Sequence, residues 1–505
     1  MKKIFLAFFM VCAMLTSCDM NKTPWGTLDD ETALTSMNDY ARFRNNFYVG
    51  LKGMGAGSYH AIPDIQADQF IGLICNGNRV GQISNAIFNS SDGDITSYWA
   101  GMYSRINGAN FFIERAQAAV DGGKFAGEDL TEMKRFIGEA KFYRAYCYWM
   151  LLDKFCEDYT KVGGSTAAKG LPLVTVYNPT GDTSKYPGRS TQDETYTLIE
   201  TDLNEAFAAL TEYENAGLEN NLKPMANYLS SMAVEALQAR VALLKGDMQT
   251  AYNKATDVIE SGLYTLSTVD NYATMWENDK SKEIIMQAAC SKTELPGSTG
   301  AYFLSTDLKK ADYIPSAKVI LDYNGRKDVR FDLFFQPTNL TIEGSKYQCF
   351  VLTKYLGNPD LMTDANPNFR IAPKLFRLSE MYLIAAEAGI KVNMTGANKY
   401  INDFKRNRYE DYVDGTYDAD KLLAAVKHER GIEFIGEGFR LSDLRRWGDG
   451  FDRDINYNIN SKLNNVVVKL GKVSYSKDDY RYVWPIPSDE LTNNPQLKGQ
   501  QNPGY

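Results

Sequence analysis

Histidine is nearly absent from this 505-residue chain, which contains only His60 and His428. Neither histidine belongs to an HExxH motif and none of the seven cysteines forms a CxxC pair, so we expect no zinc site. Two histidines also give little material for a Ser-His-Asp triad, and no phosphate-binding loop motif occurs. Five cysteines follow position 18. Because this number is odd, a disulfide framework is not expected, although a single disulfide bridge remains an alternative. These absences predict a protein without a metal site or a bound cofactor.

An excess of positive charge is also lacking. Lysine and arginine number 55 against 63 aspartates and glutamates, which gives a formal net charge of -8. Nucleic-acid-binding proteins and polybasic membrane contacts both need a basic surface, so neither is expected. With 44% hydrophobic and 23% charged residues, the composition is typical of a folded globular chain.

Only one long apolar run is present, from Ile4 to Leu15, and it follows two lysines. It is shorter than the roughly 20 residues that span a membrane, and it matches the apolar core of a secretion signal. Small residues then lead directly into Cys18, which resembles a bacterial lipobox. We predict a signal peptide over 1–17, a lipidated tether over 18–36, and a thioether-linked diacylglycerol on Cys18 with an acyl chain such as palmitate on its amino group. A secreted protein with an incidental cysteine is the alternative.

Helical periodicity dominates the remaining chain. Phe136, Ala140, Tyr143, Cys147 and Leu151 mark one face of a helix, and a further helix is predicted behind the capping pair of Thr191 and Glu194. The other predicted helices cover about 37–49, 95–120, 129–155, 226–245, 247–261, 375–391, 396–408 and 419–437. Small residues at Ala239, Gly246, Ala251 and Ala255 allow two helices to cross closely. The pattern predicts a mainly α fold, a tetratricopeptide-like superhelix whose loop-rich insertions carry short strands.

Residues 285–372 interrupt the helical pattern. This insertion contains five prolines and strand-like runs such as Tyr347 to Leu352. Long insertions on a rigid scaffold usually carry function, so we expect part of the binding site here. The chain is divided into an N-terminal region over 37–225, with the first helix pairs, and a C-terminal region over 226–505.

Several sequence blocks are similar to one known family. The most specific is Glu429-Arg430-Gly431-Ile432-Glu433-Phe434, followed by Glu437-Gly438-Phe439-Arg440 and Asp443-Leu444-Arg445-Arg446-Trp447-Gly448. Others are Phe142-Tyr143-Arg144-Ala145, Gly170-Leu171-Pro172-Leu173, Gln238-Ala239-Arg240-Val241, Glu283-Ile284-Ile285 and the ending Gln501-Asn502-Pro503-Gly504-Tyr505. In these blocks and their order the chain resembles the SusD/RagB family of outer-membrane nutrient-uptake lipoproteins.

The resemblance implies a lipoprotein on the surface of the outer membrane of Bacteroidetes. Similar proteins cover a TonB-dependent (SusC-like) transporter, capture oligosaccharides or less often peptides, and are not enzymes. Other hypotheses are a lipid-anchored structural adaptor that binds no small ligand, and a lipid-anchored glycosidase.

Candidate ligand-binding residues lie on two loops that come together in related proteins. Sugar recognition needs hydrogen-bond donors, which Asn76, Asn78 and Arg79 supply, and aromatic planes, which Tyr302, Phe303 and Tyr313 supply. Trp99 and Trp276 are instead expected to pack in the core.

The Glu429, Glu433 and Glu437 series resembles a pair of catalytic carboxylates, because residues four apart share a helix face. We prefer an ion-pair network that ties this helix to the C-terminal tail. The nearby Arg430, Arg440, Arg445 and Arg446 are the expected partners.

Overall fold

The computed structural model describes residues 34–162, 168–323, 327–362, 367–453, 460–467 and 473–505. The predicted signal peptide, Cys18 and all but the end of the predicted tether lie outside the described residues. The helices are α1 Met37–Met54, α2 Ser58–Gln66, α3 Gly81–Ser84, α4 Gly93–Asp121, α5 Gly127–Phe155, α6 Tyr159–Val162, α7 Gln192–Asn215, α8 Ser231–Lys245, α9 Met248–Glu260, α10 Tyr272–Glu277, α11 Ala317–Tyr323, α12 Val329–Phe334, α13 Leu378–Val392, α14 Met394–Arg406, α15 Ala419–Glu433, α16 Arg440–Trp447 and α17 Ser488–Asn493. The mainly helical fold class is confirmed.

Side-chain caps fix where several of these helices begin. The capping box at the start of α7 is confirmed, since the Thr191 hydroxyl accepts from the Glu194 amide and the Glu194 carboxylate accepts from the Thr191 amide. Ser36 and Asp39 form a second capping box at the start of α1. Asp92 caps α4 by accepting from two backbone amides, which explains the Asp-Gly-Asp sequence there.

The long helices form a continuous array in which each packs on the next. Helix α4 packs on α5, α5 on α7, α7 on α8 and α8 on α9. Helix α9 then packs directly on α13, which continues to α14, so the whole segment between α9 and α13 leaves the array and returns to it. The close crossings use small side chains, since Ala239, Ala251 and Ala255 are fully buried. Gly246 ends α8 with a φ of +81°, and a Cβ there would lie 2.5 Å from Thr160.

Short strands occupy the loops and form antiparallel pairs. They are β1 Phe70–Gly72, β2 Lys169–Pro172, β3 Arg189–Thr191, β4 Ile284–Gln287, β5 Tyr313–Pro315, β6 Phe335–Ile342, β7 Ser345–Leu352, β8 Lys374–Arg377, β9 Phe451–Arg453 and β10 Val473–Tyr475. Strand β7 confirms the predicted extended run, and it forms a hairpin with β6. Strands β4 and β8 pair at the two ends of the insertion, so its base is closed by backbone hydrogen bonds. Strand β1 pairs with β5, which joins an early loop to the insertion.

The main buried cluster draws its side chains from almost the whole described chain, from Tyr40 in α1 to Leu497 near the end. Trp99 and Trp276 belong to this cluster with 1% and 3% exposure, which confirms their predicted packing role. The described cysteines are all free thiols: Cys75, Cys147, Cys156, Cys290 and Cys349. Within the described segments, no helix combines the length and apolar character that a membrane crossing requires.

Helix ends differ from prediction at two functionally relevant places. Helix α1 continues to Met54, five residues beyond its predicted end. Helix α15 ends at Glu433 and not at Glu437, because the following turn places Gly436 and Gly438 at φ values of +77° and +84°. A Cβ at Gly438 would lie 3.2 Å from the backbone of Tyr59 and His60. The turn therefore needs glycine, and Glu437 points from a turn rather than from a helix face.

Candidate ligand-binding surface

The two predicted loops meet because β1 and β5 pair across the fold. Asn76, Asn78 and Arg79 follow β1, while Tyr302 precedes β5. The pairing continues past the strands, since the Leu73 amide donates to the Asp312 carbonyl at 2.9 Å. We call the surface formed by Asn76, Asn78, Arg79 and Tyr302, with Asp312 beside them, the Arg79 surface.

The Arg79 guanidinium covers the ring of Tyr302. Its carbon lies 3.4 Å from the ring centroid. Nη1 donates to the Ala301 carbonyl at 3.0 Å and to the Asp312 carboxylate at 3.1 Å. The Arg79 side chain is 39% exposed, so this is a surface ion pair combined with a cation–π contact. Among the described residues no hydrogen bond engages Nε or Nη2 of Arg79, so these donors are available to a ligand.

Asn76 and Asn78 shape the loop that carries Arg79. The Asn76 side-chain oxygen accepts from the Asn78 amide at 2.8 Å. Asn78 has a φ of +60°, and its side-chain oxygen lies where a Cβ of residue 81 would be, only 2.0 Å away. Gly81 is therefore required for this loop conformation. Asn78 is exposed and Asn76 half-buried, so both side chains reach the surface.

Phe303 and Tyr313 lie beneath the surface rather than on it. Neither has measurable exposure, whereas Tyr302 retains 8%. Phe303 stacks on Phe70 with ring centroids 4.5 Å apart. The Tyr313 hydroxyl donates to the Arg79 carbonyl, and burial raises the pKa of Tyr313 to about 12. The expectation that the three rings offer free planes is corrected: Phe303 and Tyr313 are packed under the loop, and the Tyr302 ring is covered by Arg79. Tyr313 supports Arg79 from below.

Asp312 and the Ala301 carbonyl were not anticipated as parts of this surface. Both contact Arg79, yet their positions follow from strand pairing across more than 200 residues and not from any local motif. The only sequence signal is that each directly precedes an aromatic candidate.

The glutamates Glu429 and Glu433 belong to a buried ion-pair network, as preferred, but the partners differ from those expected. Glu433 has no exposure and pairs with Arg377 at 2.6 Å, Arg408 at 3.0 Å and Arg330 at 3.1 Å. Arg330 also pairs with Glu429 at 2.6 Å. Burial alone would raise the pKa of Glu433, but the guanidinium groups of Arg408, Arg377 and Arg330 outweigh it and hold the pKa well below its usual value.

The arginines expected as partners pair elsewhere. Arg430 binds Asp443, Arg440 binds Asp68, Arg445 binds Asp153, and Arg446 binds Glu387 and Asp443. The glutamate network thus ties α15 to the insertion and to the residues after α14 instead of to the C-terminal tail. Glu437 completes it by binding Lys354 and Arg377, each at 2.6 Å. The arrangement joins elements together, and Glu429 and Glu433 have no exposure to a substrate.

Within the described residues, no group of three or more histidine, cysteine or acidic side chains is placed to hold a metal ion. The Arg79 surface therefore offers hydrogen-bond donors, a carboxylate and an aromatic ring that is covered by an arginine. Such a set can bind a polar ligand through hydroxyl or carbonyl groups.

Comparison with known proteins identifies the family. Residues 335–505 match the family model described as the SusD family, and residues 43–243 match one described as starch-binding associating with outer membrane. No match is found among curated proteins.

Solved structures show the same architecture. A SusD superfamily protein from Bacteroides thetaiotaomicron is 26% identical with a TM-score of 0.76, covering 93% of this chain and 100% of the other. A putative sugar binding protein from Bacteroides vulgatus is 26% identical with a TM-score of 0.75, covering 94% and 100% of the two chains. A SusD-like carbohydrate binding protein from Bacteroides vulgatus, at 18% identity and a TM-score of 0.72, shares the fold over 92% and 98%.

The helical array and its closed insertion thus define a mainly helical scaffold with short strands in its loops. The chain is a SusD-like protein.

Proposed function

We propose that this protein is an outer-membrane surface lipoprotein that captures oligosaccharides and delivers them to a partner TonB-dependent, SusC-like transporter. The proposal is supported by family membership, by the name of the N-terminal family model and by the sugar-binding description of a structural relative. Anchoring through Cys18 is part of the proposal.

In this proposal, the ligand binds to the Arg79 surface. The observation that carries it is the stack of Arg79 on Tyr302, because it places two unused guanidinium donors beside an aromatic ring on a loop. The hydroxyls of a sugar accept hydrogen bonds from such donors, while the Tyr302 ring, buried under Arg79, holds the guanidinium in place. Asn76 and Asn78 add donors at the rim, while Phe303 and Tyr313 support the loop from below.

Binding rather than catalysis is the proposed activity. Glycoside hydrolysis uses two carboxylates flanking the bond that is cleaved. Glu429 and Glu433 are fully buried in ion pairs, and Asp312 is the carboxylate next to Arg79. Release of reducing sugar from any glycan by the purified protein would contradict this part of the proposal.

The ligand class is tested by calorimetric titration of the lipid-free mature protein against panels of oligosaccharides and oligopeptides. Heat with oligosaccharides supports the proposal, and heat with peptides alone replaces it by peptide capture in the same architecture. No heat of binding with either panel favours a structural adaptor.

Anchoring and delivery need cellular tests. A Cys18→Ala variant should move from the membrane to the soluble fraction and lose label when cells are fed radioactive palmitate. The wild-type protein, extracted in mild detergent, should co-purify with a TonB-dependent barrel. Absence of any such barrel would count against the delivery role while leaving ligand binding intact.

A further inference from the structure

A cavity lies at the junction of α11, α15 and α16, and none of the residues of the Arg79 surface line it. Its volume is about 230 Å³. The ionisable side chains around it comprise three acids and three bases, in addition to His428: Asp68, Asp322, Asp449, Lys318, Lys427 and Arg440. The formal charges of these six groups cancel, so the lining has no net preference for an anion or a cation.

The lining is rich in both donors and acceptors that already have fixed positions. Arg440 binds Asp68 through two hydrogen bonds of 2.7 and 2.8 Å. Lys427 binds both oxygens of Asp449 at 2.9 and 2.7 Å. Because these four charges are held in two pairs of opposite sign, a ligand meets donors and acceptors in fixed positions there without having to neutralise those charges.

Aromatic rings complete the lining. Tyr323 and His428 are stacked with ring centroids 5.2 Å apart and planes inclined by 17°. Trp447 is half-buried and oriented by a 2.8 Å hydrogen bond from its ring nitrogen to Glu387. Tyr323 is buried, whereas His428 and Trp447 are half-buried, so these last two rings, beside the polar pairs, suit a sugar ring with apolar and hydroxyl-bearing surfaces.

Gly431 forms part of the wall of the cavity. A Cβ at this position would contact Arg440, Tyr323 and Gln69 at 3.5 to 3.7 Å, all of which line the cavity. These are ordinary contact distances, so an alanine fits without strain while adding a methyl group to the wall. Gly431 lies within α15, where alanine is also the better helix former.

From these features we propose that this cavity binds a neutral monosaccharide unit, as a second saccharide site separate from the Arg79 surface. Its volume is below the roughly 300–1,000 Å³ of pockets for drug-sized ligands, so it fits one small ring rather than a chain. The balanced charges of the lining give a phosphate no net attraction, and an extended peptide would need a longer groove. The inference goes beyond the proposed function and does not depend on the Arg79 surface.

The test uses the two histidines as probes. The lipid-free mature protein, labelled with ¹³C-histidine, is titrated separately with glucose, galactose, mannose and xylose while the ring resonances are followed by NMR. His428 should shift saturably with at least one of them, with a dissociation constant in the millimolar range expected for so small a ligand. His60, which does not line this cavity, should not shift. If none of the four sugars changes the chemical shifts of the His428 ring, the proposal is overturned.

Matched variants locate the binding. Gly431→Ala should raise the dissociation constant measured from the His428 resonances by about tenfold, the usual effect of one methyl group in a tight pocket. Gly108→Ala, a glycine in α4 whose added Cβ meets nothing within 4 Å, should leave it unchanged. Tyr302→Ala should also preserve the response, which separates this site from the Arg79 surface. An unchanged response in Gly431→Ala, or its loss in Tyr302→Ala, would overturn the assignment of the sugar to this cavity.

Discussion

Arg377, the last residue of β8, donates a hydrogen bond of 2.6 Å to Glu433, the last residue of α15. The closing strand of the insertion is thereby fixed to the helix that carries the most family-specific sequence. Both side chains are buried, with 2% and 0% exposure, so the pair depends on the surrounding charges of Arg330 and Arg408.

Glu433→Ala should lower the free energy of unfolding by roughly 3–5 kcal/mol, because three arginines would stay buried without their shared carboxylate. The measurement is urea unfolding followed by circular dichroism. Glu205→Ala, which removes an exposed partner of Lys141, is the control and should cost about 1 kcal/mol or less. Equal effects of the two substitutions would show that the buried network does not stabilise the fold.

Acid should destabilise the protein in part through His60. Burial lowers the pKa of His60 to about 4, assisted by the positive charges of Lys354 and Arg240 and opposed by Glu437. The ordinary pKa in the unfolded chain is near 6.5, so the unfolded state takes up the proton first. This contribution to stability is present above pH 6.5 and is lost as the pH falls towards 4.

The contribution is isolated by comparing wild type with His60→Gln, because Asp64, whose pKa burial raises to about 7, acts in the opposite direction over the same range. The difference in unfolding free energy between the two proteins should shrink steadily from pH 6.5 to pH 4. A constant difference would mean that His60 titrates alike in the folded and unfolded chains.

Tyr302 and Tyr313 should respond differently to truncation. Tyr313→Ala should destabilise the protein by about 3–5 kcal/mol, as expected for removing a large fully buried ring. Tyr302→Ala should cost less, since Tyr302 keeps 8% exposure and packs under the exposed Arg79 side chain. Thermal unfolding of both variants checks this order, and a Tyr313→Ala protein as stable as wild type would show that its ring is not part of the core.

Gly438→Ala should also destabilise the fold. Its φ of +84° is unfavourable for alanine, and the added methyl would lie 3.2 Å from backbone atoms of α2. We expect a loss of about 1–2 kcal/mol of unfolding free energy. Gly108→Ala, in the middle of α4, should instead be neutral or slightly stabilising. A Gly438→Ala protein more stable than Gly108→Ala would contradict the described turn.

Local features of the fold could be predicted from the sequence, because they depend on neighbouring residues. The Thr191–Glu194 capping box and the apolar stripe from Phe136 to Leu151 are examples. Partners that are distant in sequence could not be predicted. Nothing near Glu433 indicates that its cations are Arg330, Arg377 and Arg408.

The candidate site shows the same limit. The joining of the two loops was expected from the family resemblance alone, since the β1–β5 pairing links residues more than 200 positions apart. Residue type does not reveal whether an aromatic ring is buried, so Phe303 and Tyr302 looked equivalent in sequence. Packing against Phe70 separates them.

The proposal that the Arg79 surface binds an oligosaccharide is tested most directly by calorimetric titration of Arg79→Ala with the best oligosaccharide ligand of the wild-type protein. The account predicts that affinity falls at least about tenfold, which corresponds to roughly 1.4 kcal/mol. Arg406→Ala, which removes an exposed arginine paired with Asp403 and Asp414 in α14 and the turn that follows, should bind as wild type does. Full affinity in Arg79→Ala, with both variants folded, would contradict the account and place the ligand elsewhere.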